Sequence, residues 1–147
     1  FSAALSPDVA AELESRNIDL RELTNFCLKQ EDADITLIEG IGGVMVPLNQ
    51  KHTVLDWIQA LGAPVILVVG SYLGTLSHAL SAVGMLQARG QTIAGVIISE
   101  SINQPMKVEK TAQILKRFLR PIPIQIVPRL KSQEAAPNLL SLLDLHL

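Results

Sequence analysis

The sequence predicts an α/β protein with a doubly wound, mostly parallel sheet, and three observations carry that prediction. Segments rich in β-branched residues alternate with segments of helical period. One strand-like segment, "APVILVVG" at 63–70, is apolar on consecutive residues. The composition is aliphatic, with 48% hydrophobic but only 3% aromatic side chains among 147 residues, which suits a sheet core of Leu, Ile, Val and Ala. Strands separated by helical segments imply right-handed βαβ crossovers and therefore parallel neighbours. A strand apolar on both sides is expected at the centre of such a sheet, covered on both faces.

Each element has its own local signal. "FSAALSPDVAAELES" begins at Phe1 and runs at once into a helix, with Ser6 as N-cap and Pro7 at the first helical position; that start is expected of a chain cut from a larger domain. Asp19 and Glu22 have capping-box spacing and predict a helix over 20–29. "DITLIE" at 34–39 reads as a short strand. Thr53 and Asp56 repeat the capping pattern and start "VLDWIQAL". After the strand at 63–70 comes a helix over 73–90, closed by Gly90 at its C′ position. A strand at 92–99, a helix near 107–119, a short strand at 123–127 and a terminal helix in "PNLLSLLDLHL" complete the order. Without internal repeats, low-complexity tracts or a linker, the chain is expected to lie within one domain.

Charge and cysteine content narrow the function classes. The net charge is −2, with no long run of either sign, so the expected partners include neither nucleic acid nor an anionic membrane. The longest apolar stretch, Ala63 to Val69, is too short to span a bilayer, and no secretory h-region opens the chain. Cys27 is the one cysteine, which excludes an internal disulfide and points to a reducing compartment. Its helical spacing with Leu20 and Leu23 marks it as a packing residue. A soluble, cytoplasmic protein is expected.

In open parallel sheets ligands bind beyond the carboxyl ends of the strands. Three segments leave predicted strand ends with unusual residues: Glu39-Gly-Ile-Gly-Gly43, Gly70-Ser-Tyr-Leu-Gly74 and Ser99-Glu-Ser101. A carboxylate at a strand tip suits Mg²⁺, a hard cation that bridges protein oxygens to phosphates. Gly42 and Gly43 would let backbone N–H groups approach an anion without a Cβ in the way. Taken by itself, the same turn reads equally as a chain reversal with a solvated glutamate. The start of the 73–90 helix offers unpaired N–H groups for a carboxylate or phosphate, and Gly74 and Thr75 also read as an ordinary helix start.

"ADITLIEGIGGVMVPLN", "TVLDWIQALGAPVILVVGSYLGTLSHAL", "AGVIIS" and "VPRL" together resemble dethiobiotin synthetase, an enzyme of the P-loop NTPase fold, in matching order and spacing from Ser6 to about Leu130. The resemblance implies a three-layer P-loop-type sheet and an ATP- and Mg²⁺-dependent ligase of biotin biosynthesis. Such an enzyme makes dethiobiotin from 7,8-diaminononanoate, CO₂ and ATP. One amine becomes a carbamate, ATP's γ-phosphoryl group activates it, and the second amine closes the ureido ring. This is mainly positioning and charge neutralisation. By the resemblance, Glu39 is the Mg²⁺ ligand, and Gly40, Ile41, Gly42 and Gly43 lie beside the phosphates and the reacting carbamate, with Glu39, Gly42 and Gly43 serving the chemistry. Val46, Pro47 and Gly74, Thr75, Leu76 and Ser77 bind the substrate, the helix start receiving its carboxylate across a homodimer interface. Ser99 and Glu100 read the purine edge, and Pro128, Arg129 and Leu130 surround the adenine. His78, one turn into its helix, fits as a packing residue rather than a base.

Two features depart from the family's pattern. Ser99 stands where well-known family members carry an asparagine for the adenine, and one hydroxyl cannot make an amide's paired contact, so discrimination among nucleotide bases is expected to be modest; Ser77 stands where some carry an asparagine in the substrate-carboxylate helix, where backbone donors suffice. No G-x-x-x-x-G-K-[ST] occurs in the 147 residues, so the phosphate-cradling loop, its lysine and a Mg²⁺-binding hydroxyl are absent from them. The expectation is therefore the C-terminal two thirds of a synthetase domain, inactive by itself. The alternatives are a cobyrinate-type amidoligase of the same fold and a non-catalytic interaction module derived from it.

Overall fold

The computed structural model describes residues 1–29, 33–130 and 137–142. They divide into two compact units, Phe1–Ala63 and Pro64–Leu147.

In the first unit, helix α1 spans Pro7–Leu13, with Ser6 at the N-cap position and Pro7 opening it. Proline suits that place because its φ is already helical and its missing N–H would have had no partner. Helix α2, Leu20–Leu28, starts where the Asp19 carboxylate accepts the Arg21 and Glu22 N–H groups at 2.8 and 3.0 Å. Leu20, Leu23 and Cys27 pack against a core of Leu48, Val54 and Trp57, so the cysteine is a packing residue as its spacing predicts. Helix α3, Val54–Leu61, is capped by Asp56, whose carboxylate accepts from the Thr53 N–H at 2.7 Å and from its hydroxyl at 2.8 Å. Gly62 ends it in the left-handed conformation at φ 65°.

The strand expected at 34–39 does not form. Its alternation of apolar and polar residues marks a capacity to pair. A strand exists only where a neighbour takes up its N–H and C=O groups, and the described ladders join other segments. Ile38 still packs on the local core, while Leu37 is 80% exposed.

The second unit runs β1 (Val65–Gly70), α4 (Thr75–Ala88), β2 (Ile93–Ser99), α5 (Val108–Phe118), β3 (Ile124–Val127) and a short 3₁₀ turn (Leu140–Leu142). The strands are parallel in the order β1-β2-β3. Register pairs Leu67 with Val96 and Val69 with Ile98, and then Val96 with Ile124 and Ile98 with Ile126. These residues share one face, and Ala79 and Val83 of α4 with Val108, Ala112 and Leu115 of α5 pack on it as the main core. The opposite face receives Leu142, which lies where a Cβ on Gly95 would come within 2.8 Å of it. There too the Gln125 amide donates to the Ser141 hydroxyl at 2.9 Å.

Two expectations are corrected. The consecutive apolar residues of 63–70 place that strand at the sheet centre, yet β2 is the central strand, with Val96, Ile97 and Ile98 all buried. β1 lies at an edge of the described sheet, and Val68 is 61% exposed. Consecutive apolar residues show that both faces tolerate cover, not which neighbours arrive. The predicted terminal helix appears as the turn at 140–142, and residues 143–147 lie outside those described.

Candidate functional site

The glycine turn belongs to the first unit, where its conformation follows from a few backbone bonds. The Val46 N–H donates to the Gly43 carbonyl at 3.0 Å, closing a tight reversal, and Gly42 stands in the left-handed region at φ 71°. A Cβ on Gly42 would also come 2.8 Å from Val46 Cγ2, so glycine is required there twice over. The next segment is tied to the start of α3. Leu55 N–H donates to the Val44 carbonyl at 2.7 Å and Val54 N–H to the Val46 carbonyl at 2.9 Å, while Pro47 and Thr53 form an isolated antiparallel bridge. The first N–H groups of that helix are thus spent on the loop. Gly43 is different, because a Cβ there would meet nothing within 4 Å and its backbone faces open space. Glu39, Gly40, Ile41 and Pro47 are exposed and Val46 is half-buried.

A cleft of about 450 Å³ lies elsewhere in this unit, between residues 17–21 and 49–52. The Asp19 carboxylate in it caps α2, and the Asn49 side-chain oxygen accepts the Lys51 and His52 N–H groups. Asp19 and Asn49 thus serve the backbone, and none of the predicted site residues lines the cleft.

In the second unit the three strands end together, and their C-terminal residues form one hydrogen-bonded set. Ser71, just beyond β1 and 1% exposed, donates its N–H to Ser101 Oγ at 3.0 Å. The Ser101 N–H in turn donates to Ser71 Oγ at 2.9 Å. Glu100 follows β2, and its N–H donates to the Val127 carbonyl at the end of β3 at 2.9 Å. One Glu100 carboxylate oxygen accepts the Arg129 N–H at 3.0 Å and the other the Gln104 amide at 2.9 Å. These bonds hold the Glu100 carboxyl below the ordinary glutamate range, first through the Arg129 N–H, then through Gln104, with the Arg129 charge adding to both. Glu100 and Arg129, both among the candidate residues, are therefore joined by a direct hydrogen bond. Ser99 sits on the exposed end of β2, paired in register with Gly70 and Val127. Pro128 and Leu130 flank Arg129 on the surface.

At the start of α4, Gly74 occupies the N-cap with φ 99°, and the buried Thr75 hydroxyl turns back to the Gly70 carbonyl. Thr75 N–H donates to the Tyr72 carbonyl at 3.2 Å, which leaves Leu76 and Ser77 as the candidate backbone donors of that turn. The Leu76 side chain packs on the core, and Ser77 is exposed. His78 is not the packing residue its position suggests. It is exposed, and its Nδ1 lies 2.9 Å from the Tyr72 hydroxyl with the rings 5.7 Å apart.

A family model described as an AAA domain matches residues 1–136. The chain belongs to this family. Among its curated relatives, it is 47% identical over 125 residues to the ATP-dependent dethiobiotin synthetase BioD of Acidiphilium cryptum (strain JF-5), a match covering 84% of this chain and 56% of that protein. It is 41% identical over 148 residues to the protein of the same name from Caulobacter vibrioides (strain NA1000 / CB15N), covering 99% and 65%. It is 34% identical over 142 residues to that of Lysinibacillus sphaericus (strain C3-41), covering 95% and 60%. The chain thus spans 56–65% of the length of these relatives. The resemblance to dethiobiotin synthetase read from the sequence is borne out.

Within this AAA-domain chain the predicted residues fall in both units. Glu39–Gly43, Val46 and Pro47 lie in the first, and Gly74–Ser77, Ser99, Glu100 and 128–130 in the second. Sequence reasoning singled out the Ser71 and Ser101 segments but missed Gln104, whose side chain joins them to Glu100. A glutamine in a polar loop carries no periodic or motif signal. No described helix is long and apolar enough to cross a membrane.

Proposed function

We propose that the protein carrying this chain is an ATP- and Mg²⁺-dependent dethiobiotin synthetase, closing the ureido ring from 7,8-diaminononanoate and CO₂. The observation that carries this reading is the 47% identity over 125 residues to an enzyme of that name. Local geometry at the glycine turn, at Glu100 and at the start of α4 is consistent with it. Gly43 leaves open backbone beside Gly42, as a ligand's close approach requires, and Gly40 and Ile41 complete the proposed phosphate side of the turn. Ser99, Glu100, Pro128, Arg129 and Leu130 form the proposed adenine side, with Glu100 holding the Arg129 backbone in place. Val46, Pro47 and the α4 start, through the Leu76 and Ser77 N–H groups, are the proposed substrate side. Homodimeric assembly and a cytoplasmic location belong to the same proposal.

Mg²⁺ keeps several waters and takes one or two carboxylates alongside phosphate oxygens. In this proposal Glu39, exposed at the mouth of the glycine turn, is the carboxylate that would hold the ion. When bound, Mg²⁺ would neutralise charge on the transferred phosphoryl group.

The test is to incubate the complete protein with 7,8-diaminononanoate, bicarbonate, ATP and Mg²⁺ and to follow dethiobiotin and ADP by mass spectrometry. Dethiobiotin that requires every component is expected, and Glu39→Gln should lower Mg²⁺-dependent turnover at least about tenfold. ATP-driven amidation of a carboxylate substrate in place of ring closure would select the amidoligase alternative. An unchanged Mg²⁺ titration in Glu39→Gln would remove Glu39 from the metal.

A further inference from the structure

The polar set at the strand ends runs as a relay that converges on the Glu100 carboxylate. The Ser101 N–H donates to Ser71 Oγ at 2.9 Å, and the Ser71 hydroxyl donates to Gln104 Oε1 at 2.9 Å. Gln104 Nε2 donates to Glu100 Oε1 at 2.9 Å, and Glu100 Oε2 accepts the Arg129 N–H at 3.0 Å. Ser71 is 1% exposed, so its hydroxyl needs its partners inside the protein. Gln104 joins the two halves because an amide both accepts and donates. Its oxygen accepts the hydrogen bond from the serine hydroxyl, and its NH₂ holds the carboxylate that fixes the backbone of Arg129. Its charged partner is Glu100, on which the Arg129 charge also acts. Leucine would leave the Ser71 hydroxyl without its acceptor and Glu100 with one holder fewer. A charged glutamate would set two carboxylates against each other.

We propose that Gln104 is a positioning residue for nucleotide recognition, holding Glu100 so that the loop at 128–130 is preset for the base. The proposal rests on the nucleotide-dependent function proposed above and assigns a role to a residue outside that site. Its chemistry is distinctive because a protonated carboxyl group can replace the amide. With one shared proton, the side chain introduced by Gln104→Glu again accepts from Ser71 and donates to Glu100. Low pH should therefore restore what that substitution removes.

The experiment measures ADP and ATP affinity of the complete protein by calorimetry at several pH values between 5.5 and 8, for the parent, Gln104→Leu and Gln104→Glu. Gln104→Leu is expected to bind about tenfold more weakly at every pH, the loss of one charge-assisted hydrogen bond. Compared with the parent at the same pH, because the nucleotide phosphates also titrate in this range, Gln104→Glu should match that deficit at pH 8 and show a smaller one as the pH falls to 5.5. A general loss of folding would not be repaired by acid in one variant and left in the other. Parent-like affinity in both variants, or a deficit in Gln104→Glu that does not shrink on acidification, would overturn the positioning role. Absence of nucleotide binding by the parent itself would instead overturn the functional reading on which it rests.

Discussion

Gly42 and Gly43 are neighbours in sequence with different physical reasons to be glycine. Gly42→Ala places a methyl group on a residue at φ 71° and drives it to 2.8 Å from Val46 Cγ2. It should cost about 1–3 kcal/mol of stability, read from the midpoint of chemical denaturation. Gly43→Ala meets nothing within 4 Å and should change that midpoint by less than about 0.5 kcal/mol. It should nevertheless lower turnover of the complete protein, because the added methyl occupies space proposed for ligand. A large loss of stability in Gly43→Ala would show that the open side is not open in solution. Glu100 supplies a second prediction at this scale. Its carboxyl is held below the ordinary glutamate value by the Arg129 N–H first and Gln104 next. The folded value is depressed, so the stability it contributes is present above the unfolded value and is lost as pH falls through the folded one. In NMR titrations the Arg129 amide should shift together with the Glu100 carboxyl, with a midpoint below that of a free glutamate. A midpoint at or above that of free glutamate would contradict the bond.

At the scale of elements, α2 and α3 begin where short polar side chains meet unpaired N–H groups. Asp56 does this for α3 by accepting from both the N–H and the hydroxyl of Thr53. Asp56→Ala should destabilise the protein by about 1 kcal/mol, and Asp56→Asn by less, because the amide oxygen still accepts. Equal denaturation midpoints for the parent and Asp56→Ala would show that the cap carries no weight. The start of α4 is different. Gly74 supplies no side-chain acceptor, so the donors of Leu76 and Ser77 remain candidates for a ligand. Thr75 uses its hydroxyl on the Gly70 carbonyl and locks the turn from β1 into the helix.

At the scale of the whole molecule, nucleotide binding needs a cradle for the phosphates as well as a platform for the base. The proposed platform for the base lies at the strand ends of the second unit, and the 147 residues contain no phosphate-binding glycine-lysine loop. Residues 1–147 without further chain are therefore expected to bind ATP with a dissociation constant on the order of millimolar or weaker, even with Mg²⁺. Calorimetry on that chain checks this. Binding tighter than about 10 μM would show that another group of N–H donors holds the triphosphate.

What the sequence determined by itself is whatever depends on neighbours a few residues away. Pro7, Asp19 and Thr53 mark the starts of α1, α2 and α3, and Gly62 and Gly90 take positive φ just past helix ends. The glycine turn after Glu39 and the strand-end segments around Ser71, Ser99 and Arg129 are equally local, and their residue types point to the chemistry of anions and bases. Tertiary structure decided which strands pair and which side chains meet. The apolar run at 34–39 forms no strand, and among the described strands the more uniformly apolar β1 lies at an edge while β2 takes the centre. Ser71 finds Ser101 across 30 residues, and Gln104 closes the gap to Glu100 with no signal in its own flanking sequence. The physical reason is range. Caps and turns are satisfied within one helical turn, whereas ladders and polar relays exist only after the βαβ crossovers have carried distant strand ends side by side.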